Sequence, residues 1–127
     1  MMDFPADLRY TKEHEWVRFE DGVATIGITE FAQEELGEIV FVECPEVGAQ
    51  FEKGGSLCVV ESTKAASDVY APIGGIVKEA NAALEDTPDL VNSSSYIDGW
   101  MVKFENVDES QVNELMDAAQ YRALVEQ

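Results

Sequence analysis

The sequence is poor in basic residues: 8 Lys and Arg stand against 26 Asp and Glu, and the formal net charge is −18 over 127 residues. Such an acidic surface repels phosphate backbones and anionic lipids, so we expect no binding to nucleic acid or membrane surfaces. No apolar run is long enough to span a bilayer. The N-terminus lacks the features of a signal or transit peptide, and we therefore expect a bacterial-type cytoplasmic protein.

Soft metal ligands and catalytic groups are also scarce. Cys44 and Cys58 are the only cysteines and His14 is the only histidine, which are too few for a zinc site. Because Cys58 lies in an apolar strand and a reducing compartment is expected, we predict two buried free thiols rather than a disulfide. His14 is not accompanied by a Gly-x-Ser-x-Gly motif, and the glycine pairs do not match a phosphate-binding loop. We expect no catalytic residues.

Short apolar segments separated by glycine and proline indicate one mostly β domain. Their spacing predicts an all-β sandwich or a flattened barrel, with helices as additions. Thr29 is a suitable cap for the first helix, and Gly37 ends it. The predicted elements are strands at 10–17, 23–28, 38–43, 76–80 and 100–104, a helix at 30–36, and a one-turn helix that starts at 86–88 before a loop at 92–95.

The C-terminal segment has helical periodicity. Asp108 or Ser110 is a suitable N-cap, and apolar residues recur every three or four positions after it. We predict one helix at about 109–126. Its apolar stripe would consist of Val112, Leu115, Met116, Ala119 and Ala123.

A lysine lies at an unusual position in residues 56–71, which predict a β-hairpin with Thr63-Lys64 at its tip. Two-residue hairpin turns favour Asn-Gly, Asp-Gly or Gly-X because their central residues adopt positive φ, and this turn contains none of them. Glu61 and Asp68 favour the protonated ammonium, so free Lys64 would be a poor nucleophile. Lys64 is either an ordinary turn lysine or a residue that is acylated and presented to several active sites on a rigid tip.

Residues 61–72, with the sequence Glu-Ser-Thr-Lys-Ala-Ala-Ser-Asp-Val-Tyr-Ala-Pro, resemble the lipoylation segment of the H-protein family of the glycine cleavage system. Residues 10–17, 25–29 and 36–43 resemble the same family, in one register that runs from about residue 8 to 105. The resemblance implies a lipoyl/biotinyl-like β-sandwich (a flattened-barrel hybrid) with short helices and a C-terminal helix. It also implies a single lipoyl-carrier domain over residues 1–127.

The resemblance further implies a carrier that catalyses no step itself and bears (R)-lipoate covalently attached to Lys64. Such a carrier takes the aminomethyl group of glycine from the pyridoxal-phosphate-dependent glycine decarboxylase (P protein). It delivers this group to the tetrahydrofolate-dependent aminomethyltransferase (T protein), and dihydrolipoamide dehydrogenase (L protein) reoxidises it. A lipoate ligase or a lipoyl/octanoyl transferase would attach the lipoate. We expect the carrier to be a monomer.

Three acidic residues are candidates for contacts with the arm or its partners. We expect Glu61 to be recognised by the enzyme that attaches lipoate. By resemblance, Glu15 and Asp68 would line a groove for the aminomethyl-lipoyl arm, with Glu13 as a weaker candidate.

Three alternatives remain open on the sequence. A lipoyl relay or interaction module that donates lipoate to other enzymes would use the same arm. A biotin carrier is disfavoured because Thr63 and Ala65 replace the methionines that usually flank a biotinylated lysine. An autonomous enzyme is disfavoured because catalytic groups are scarce.

Overall fold

A computed structural model describes residues 2–126 and contains nine strands and five short helices. The longest helix has eight residues, and no helix within 2–126 is long and apolar enough to cross a bilayer. The strands are β1 (Arg9–Tyr10), β2 (Glu15–Glu20), β3 (Val23–Ile28), β4 (Ile39–Glu43), β5 (Gln50–Phe51), β6 (Ser56–Ser62), β7 (Ala66–Tyr70), β8 (Gly75–Ala80) and β9 (Val102–Glu105). The helices are α1 (Glu30–Leu36), α2 (Ala83–Asp86), α3 (Leu90–Ser93), α4 (Glu109–Asn113) and α5 (Ala118–Val125).

The strands form two antiparallel sheets. Sheet A has the order β1-β2-β3-β9-β8-β5, and sheet B has the order β4-β6-β7. Alternate side chains on both sheets point inward and form one buried apolar cluster, which is the main core. Among the described residues the sheets do not join into a closed barrel, so of the two predicted architectures the sandwich is the one that forms.

The elements that lead to the lysine hairpin follow the sequence prediction. β3 and α1 have the predicted bounds. The Ala32 N–H donates a hydrogen bond to Thr29 Oγ1 at 3.2 Å, which caps the first turn of α1. Gly37 ends α1 with φ +85, a conformation that favours glycine.

The predicted strand at 10–17 is wrong in extent, because a turn at residues 11–14 divides it into β1 and β2. The Thr11 N–H donates to the Glu15 carbonyl at 3.0 Å, and the His14 N–H donates to the Thr11 carbonyl at 3.1 Å. His14 adopts φ +71 within this turn. The apolar periodicity did not reveal the turn, since it contains neither glycine nor proline.

The single C-terminal helix predicted at 109–126 is also wrong. The chain leaves α4 after Asn113 and forms an antiparallel bridge between Tyr10 and Met116 before α5 begins. Asp117 then starts α5 with a capping box, a sequence signal that identifies this second start. In the predicted stripe, Val112 and Leu115 are buried and Met116 is half-buried, whereas Ala119 and Ala123 are exposed. The buried residue of α5 is Tyr121.

The segment around Pro88 forms two one-turn helices, and the predicted helix start at Asp86 is wrong because α2 ends there. Asn92 lies inside α3 rather than in a loop. Its side chain accepts a hydrogen bond from the Ile39 N–H at 2.8 Å and donates one to the Gly37 carbonyl at 3.0 Å. Asn92 thereby ties α3 to the end of α1 and to the start of β4.

The two cysteines are free thiols, as predicted. Cys44 directly follows β4 and is half-buried, and Cys58 lies on the neighbouring strand β6 and is buried. Their Sγ atoms are 3.9 Å apart. The hydrogen bond with Cys44, together with burial, raises the pKa of the Cys58 thiol.

Candidate functional site

The lysine hairpin consists of β6, β7 and the three residues between them, with Thr63-Lys64 at the tip and Ala65 after it. The Ser62 N–H donates to the Ala65 carbonyl at 2.8 Å and closes the turn. Ser62 Oγ also accepts hydrogen bonds from the Lys64 and Ala65 N–H groups, both at 3.1 Å. Neither tip residue has positive φ, and therefore the turn needs no glycine. The Ser62 hydroxyl stabilises the turn through these hydrogen bonds.

Lys64 is exposed at this tip, as predicted, and forms neither of the two ion pairs found among the described residues. The aliphatic part of its side chain passes over Gly37 at the end of α1. A Cβ on Gly37 would lie only 2.9 Å from Lys64 Cε, so any other residue at position 37 would clash with the Lys64 side chain in this position. A primary amine at an exposed, hydrogen-bonded tip fits the attachment of a lipoyl group through an amide bond.

Two acidic residues lie on the strands of the hairpin. Glu61 is exposed on β6, where it pairs with Ala66 across the hairpin and with Phe41 on β4. Asp68 is exposed on β7 and accepts a hydrogen bond from Ser56 Oγ at 3.2 Å. Both carboxylates are therefore accessible to a ligand or a partner protein.

A cleft of about 350 Å³ lies beside the hairpin, and we call it the hairpin cleft. It is open to solvent and bounded by the β1–β2 turn, by α1 and by β7. Its charged lining residues are acidic, and apolar side chains of α1 form one wall. The lining residues are Glu13, His14, Phe31, Ala32, Glu35, Leu36, Ser67, Asp68 and Tyr70.

Glu15 is not among the residues that line this cleft, and its expected place in a groove for the arm stays a prediction. Only 3% of Glu15 is exposed. One carboxylate oxygen accepts a hydrogen bond from Thr11 Oγ1 at 2.6 Å, and the other accepts one from the Tyr70 N–H at 3.2 Å. Burial raises the pKa of Glu15, while these hydrogen bonds oppose the rise. Glu13, the weaker candidate, lines the cleft together with Asp68.

A hydrogen-bonded group behind the cleft was missed by sequence reasoning. His14 Nδ1 lies 2.8 Å from the Tyr121 hydroxyl oxygen, which lies 2.7 Å from Thr29 Oγ1. Tyr121 also stacks on Tyr10, with ring centroids 4.6 Å apart. Burial lowers the pKa of His14 and raises that of Tyr121 to about 12. Thus α5, from the end of the chain, supports the wall that His14 and α1 form.

The comparisons with known proteins agree with one another. The profile of the family described as "Glycine cleavage H-protein" matches residues 8–127. The glycine cleavage system H proteins of Klebsiella pneumoniae and Escherichia coli are 56% and 54% identical to this chain. Each alignment covers 99% of this chain and 98% of the relative. The crystal structure of a glycine cleavage system H protein from Mycobacterium marinum has a TM-score of 0.87 and 37% identity, and the match covers 97% of this chain and 99% of that one.

These matches extend over nearly the whole sequence and include the lysine hairpin. They favour the glycine cleavage reading over a biotin carrier or a separate lipoate-donating module. Proteins of this family carry lipoate covalently attached to a lysine, and they are carrier subunits without catalytic activity of their own. The chain belongs to the glycine cleavage H-protein family, the lipoyl carriers of the glycine cleavage system.

Proposed function

We propose that Lys64 is the lysine that carries the lipoyl group. The observation that carries this proposal is the position of Lys64 at an exposed, serine-stabilised hairpin tip. Lys64 is exposed with its side chain lying over Gly37 at the end of α1, so an enzyme can reach the amine without contacting the buried core. Lys53 is also exposed, but it lies at the opposite end of β6, in the turn that leads into that strand.

The protein is a carrier in glycine breakdown. It moves the aminomethyl group of glycine from the decarboxylase to the aminomethyltransferase, and dihydrolipoamide dehydrogenase returns it to the oxidised state. Bound to the protein, the lipoyl group would supply a disulfide whose opening gives one sulfur that holds the aminomethyl group and one thiol, and the dehydrogenase would later restore the disulfide from the dithiol. The protein supplies a stable base for the arm, and the exposed tip allows each enzyme to reach it in turn.

We also propose that residues 1–127 act as one lipoyl-carrier domain, whose core extends beyond the expected 8–105 to Val112, Leu115 and Tyr121, and that the domain works in the cytoplasm. The single cluster between the sheets supports the first statement. A second buried cluster, which we call the aromatic cluster, also supports the single domain. It joins Tyr10 and Trp16 near the N-terminus to Tyr121 near the C-terminus. The second statement is supported by the acidic sequence, by the two free thiols and by the bacterial origin of the relatives described above.

We propose that the hairpin cleft shelters the cationic amine that the arm carries between the two enzymes. Asp68 and Glu13 line the cleft, and a carboxylate forms a strong charge-assisted hydrogen bond with an amine. The buried Glu15 acts indirectly by holding the backbone of Tyr70, which is a lining residue. Phe31 and Leu36 exclude water from one side of the cleft.

Attachment at Lys64 is tested by incubating the protein with a lipoate ligase and measuring its intact mass. The parent should gain the mass of one lipoyl group, whereas Lys64→Arg should gain none because arginine has no primary amine. Lys53→Arg is the matched control and should be modified like the parent. Modification of the Lys64→Arg protein would refute the assignment.

Recognition through Glu61 is tested separately from stability. Glu61→Ala should slow lipoylation while the melting temperature barely moves, because an exposed carboxylate contributes only about 0–1 kcal/mol to folding. Glu105→Ala, which changes another exposed acid, should be lipoylated at the parent rate. Normal lipoylation with a large loss of stability would show that Glu61 is structural.

Shelter of the amine is tested by loading lipoylated protein with glycine and the decarboxylase, removing the enzyme and following spontaneous loss of the carried group. Asp68→Ala and Glu13→Ala should each accelerate the loss, and the double variant should accelerate it most. Glu105→Ala should not. If the double variant loses the group no faster than the parent, these carboxylates do not hold it.

A further inference from the structure

A second depression lies along β4 on a different part of the surface, and we call it the β4 groove. Its volume is about 590 Å³, which is larger than that of the hairpin cleft. β4 and the residues after it form one side, and residues 80–85, which include the start of α2, form the other. The floor is apolar, with Val42, Leu84 and Cys44 among its members.

Exposed apolar side chains concentrate in and just before the segment that forms this groove, and Phe41 and Val47 line it. Five large apolar residues are exposed within 2–126, and three of them, Val40, Phe41 and Val47, lie in the segment 40–47. A β-bulge between Ile39 and Phe41 breaks the alternation of β4, so Val40 and Phe41 are both exposed although they are consecutive. Phe41 is 49% exposed and Val47 is 66% exposed. Clustered exposed apolar residues are typical of a protein-binding surface.

The rim of the groove is acidic. Glu43, Glu46 and Glu85 line it and are exposed, and no lysine or arginine is among its lining residues. None of the three takes part in the ion pairs of the described chain. An apolar floor with an unpaired acidic rim complements a surface that presents an apolar side chain between basic residues.

The groove begins beside the lysine hairpin. The Thr63 N–H, at the hairpin tip, donates a hydrogen bond to the Glu38 carbonyl at 3.1 Å, immediately before β4. Phe41 pairs in register with Glu61, three residues before Lys64. β4 is also an edge strand of sheet B, so no further strand of residues 2–126 pairs with its outer side. A protein that encloses Lys64 from this side will therefore meet Phe41.

We propose that the β4 groove is a docking surface for an enzyme of the glycine cleavage system while that enzyme holds the arm. The docking element on the enzyme is an apolar side chain flanked by arginine or lysine, which enters between Phe41 and Val47 and faces the acidic rim. This proposal rests on the assignment of the arm to Lys64. In addition to the contact at the arm, the partner enzyme makes a second contact at the groove, and this second contact holds the carrier in one orientation on the enzyme.

The test measures KM and kcat of the decarboxylase, the aminomethyltransferase and the dehydrogenase with lipoylated carrier as the varied substrate. Phe41→Ser combined with Val47→Ser should raise KM roughly ten-fold for at least one enzyme and leave kcat unchanged, because buried apolar anchors dominate interface affinity. Ile97→Ser is the matched control, since Ile97 is 66% exposed, like Val47, but lies outside the groove. Its KM should equal that of the parent.

A second variant tests the rim without changing any apolar residue. Glu43, Glu46 and Glu85 are replaced together by glutamine, and the control replaces the exposed Glu20, Glu105 and Glu114 in the same way. The rim variant should raise KM for the same enzyme and weaken the dependence of KM on salt, because fewer charges attract the partner. The control carries the same change in net charge and should keep the parent's salt dependence.

The proposal is overturned if KM stays within about two-fold of the parent for all three enzymes, or if each control changes as much as its groove variant. Peptide mapping of every variant, done before the kinetic assays, locates the lipoyl group and separates this outcome from failure of the Lys64 assignment. A protein modified at Lys64 whose KM does not depend on the groove refutes the docking surface alone. A protein that is not modified at Lys64 refutes the proposed function itself.

Discussion

The two depressions next to the lysine hairpin differ in what lies behind them. Behind the hairpin cleft, Glu15 and Tyr121 are buried and each is held by two or more hydrogen bonds. The β4 groove has an apolar floor and exposed glutamates at its rim. The first depression therefore has polar atoms that are oriented by hydrogen bonds, whereas the second presents apolar area and exposed charges.

The difference separates two kinds of recognition. A small cationic cargo is held by a few carboxylates in a fixed position, and such carboxylates need support from buried hydrogen bonds. A protein partner is held by apolar contact and by complementary charge at the rim, and neither requires a buried network. We therefore expect mutations behind the hairpin cleft to affect folding, and mutations in the β4 groove to affect partner binding alone.

The largest effect on stability is expected at Tyr121. Tyr121→Ala removes the ring that stacks on Tyr10 and leaves a cavity in the aromatic cluster, which should cost about 3–5 kcal/mol in the free energy of unfolding. Tyr121→Phe keeps the ring but removes the hydroxyl shared by His14 and Thr29, and should cost about 1–3 kcal/mol. Urea denaturation measures both. Equal losses in the two variants would show that the hydrogen bonds, and not the packing, dominate.

A smaller loss is expected at Glu15. Glu15→Ala leaves the Tyr70 N–H and the Thr11 hydroxyl without their acceptor and should cost about 1–3 kcal/mol. Asp68→Ala, at the exposed side of the same cleft, should change the free energy of unfolding by no more than about 0.5 kcal/mol. Thermal or urea denaturation of the two variants makes the comparison. Similar losses would mean that the buried and exposed carboxylates support the cleft equally.

The raised pKa of Glu15 predicts a pH dependence. The folded state binds the proton more tightly than the unfolded state, so the contribution of Glu15 to stability falls as pH rises from near 4.5 through the folded-state pKa. Glu15→Gln removes this titration. The stability of the parent minus that of the variant should therefore decrease over this pH range. Glu105→Gln, at an exposed position, should not reproduce the decrease, and a flat difference for Glu15→Gln would contradict the prediction.

The smallest effect on stability is expected in the β4 groove. Val47→Ser removes a side chain that is 66% exposed and Phe41→Ser one that is 49% exposed, so in urea denaturation each should change the free energy of unfolding by less than Leu84→Ala does, by about 0.5 kcal/mol for Val47→Ser. Leu84→Ala in the buried floor is the contrasting variant and should cost about 2–5 kcal/mol. A large loss at Phe41 or Val47 would show that the groove is part of the folded core.

Local patterns predicted much of the fold. β3 and α1 have the predicted bounds, because alternation identifies a strand and Thr29 and Gly37 mark the two ends of the helix. The lysine hairpin follows from two apolar strands separated by a short polar tip. The stabilisation of that tip by Ser62 is also local, since its bonds reach only two or three residues along the chain.

The two largest errors occur where distant segments meet. The strand predicted at 10–17 is interrupted, and the helix predicted at 109–126 is broken, and the Tyr10–Met116 bridge connects these two regions. Helical periodicity cannot reveal a pairing with a strand more than a hundred residues earlier. The capping box at Asp117 was the one local signal of the second helix.

By itself, the sequence determined the acidic character, the mostly β architecture, the family motif around Lys64 and the turn that exposes it, because these depend on composition and on neighbours a few residues apart. Only the tertiary structure decided that Glu15 lies beneath the hairpin cleft and that Tyr121 supports its wall. Glu15 bonds to Tyr70 across 55 residues and His14 to Tyr121 across 107. Burial and hydrogen bonding over such separations are set by packing, and therefore no local pattern encodes them.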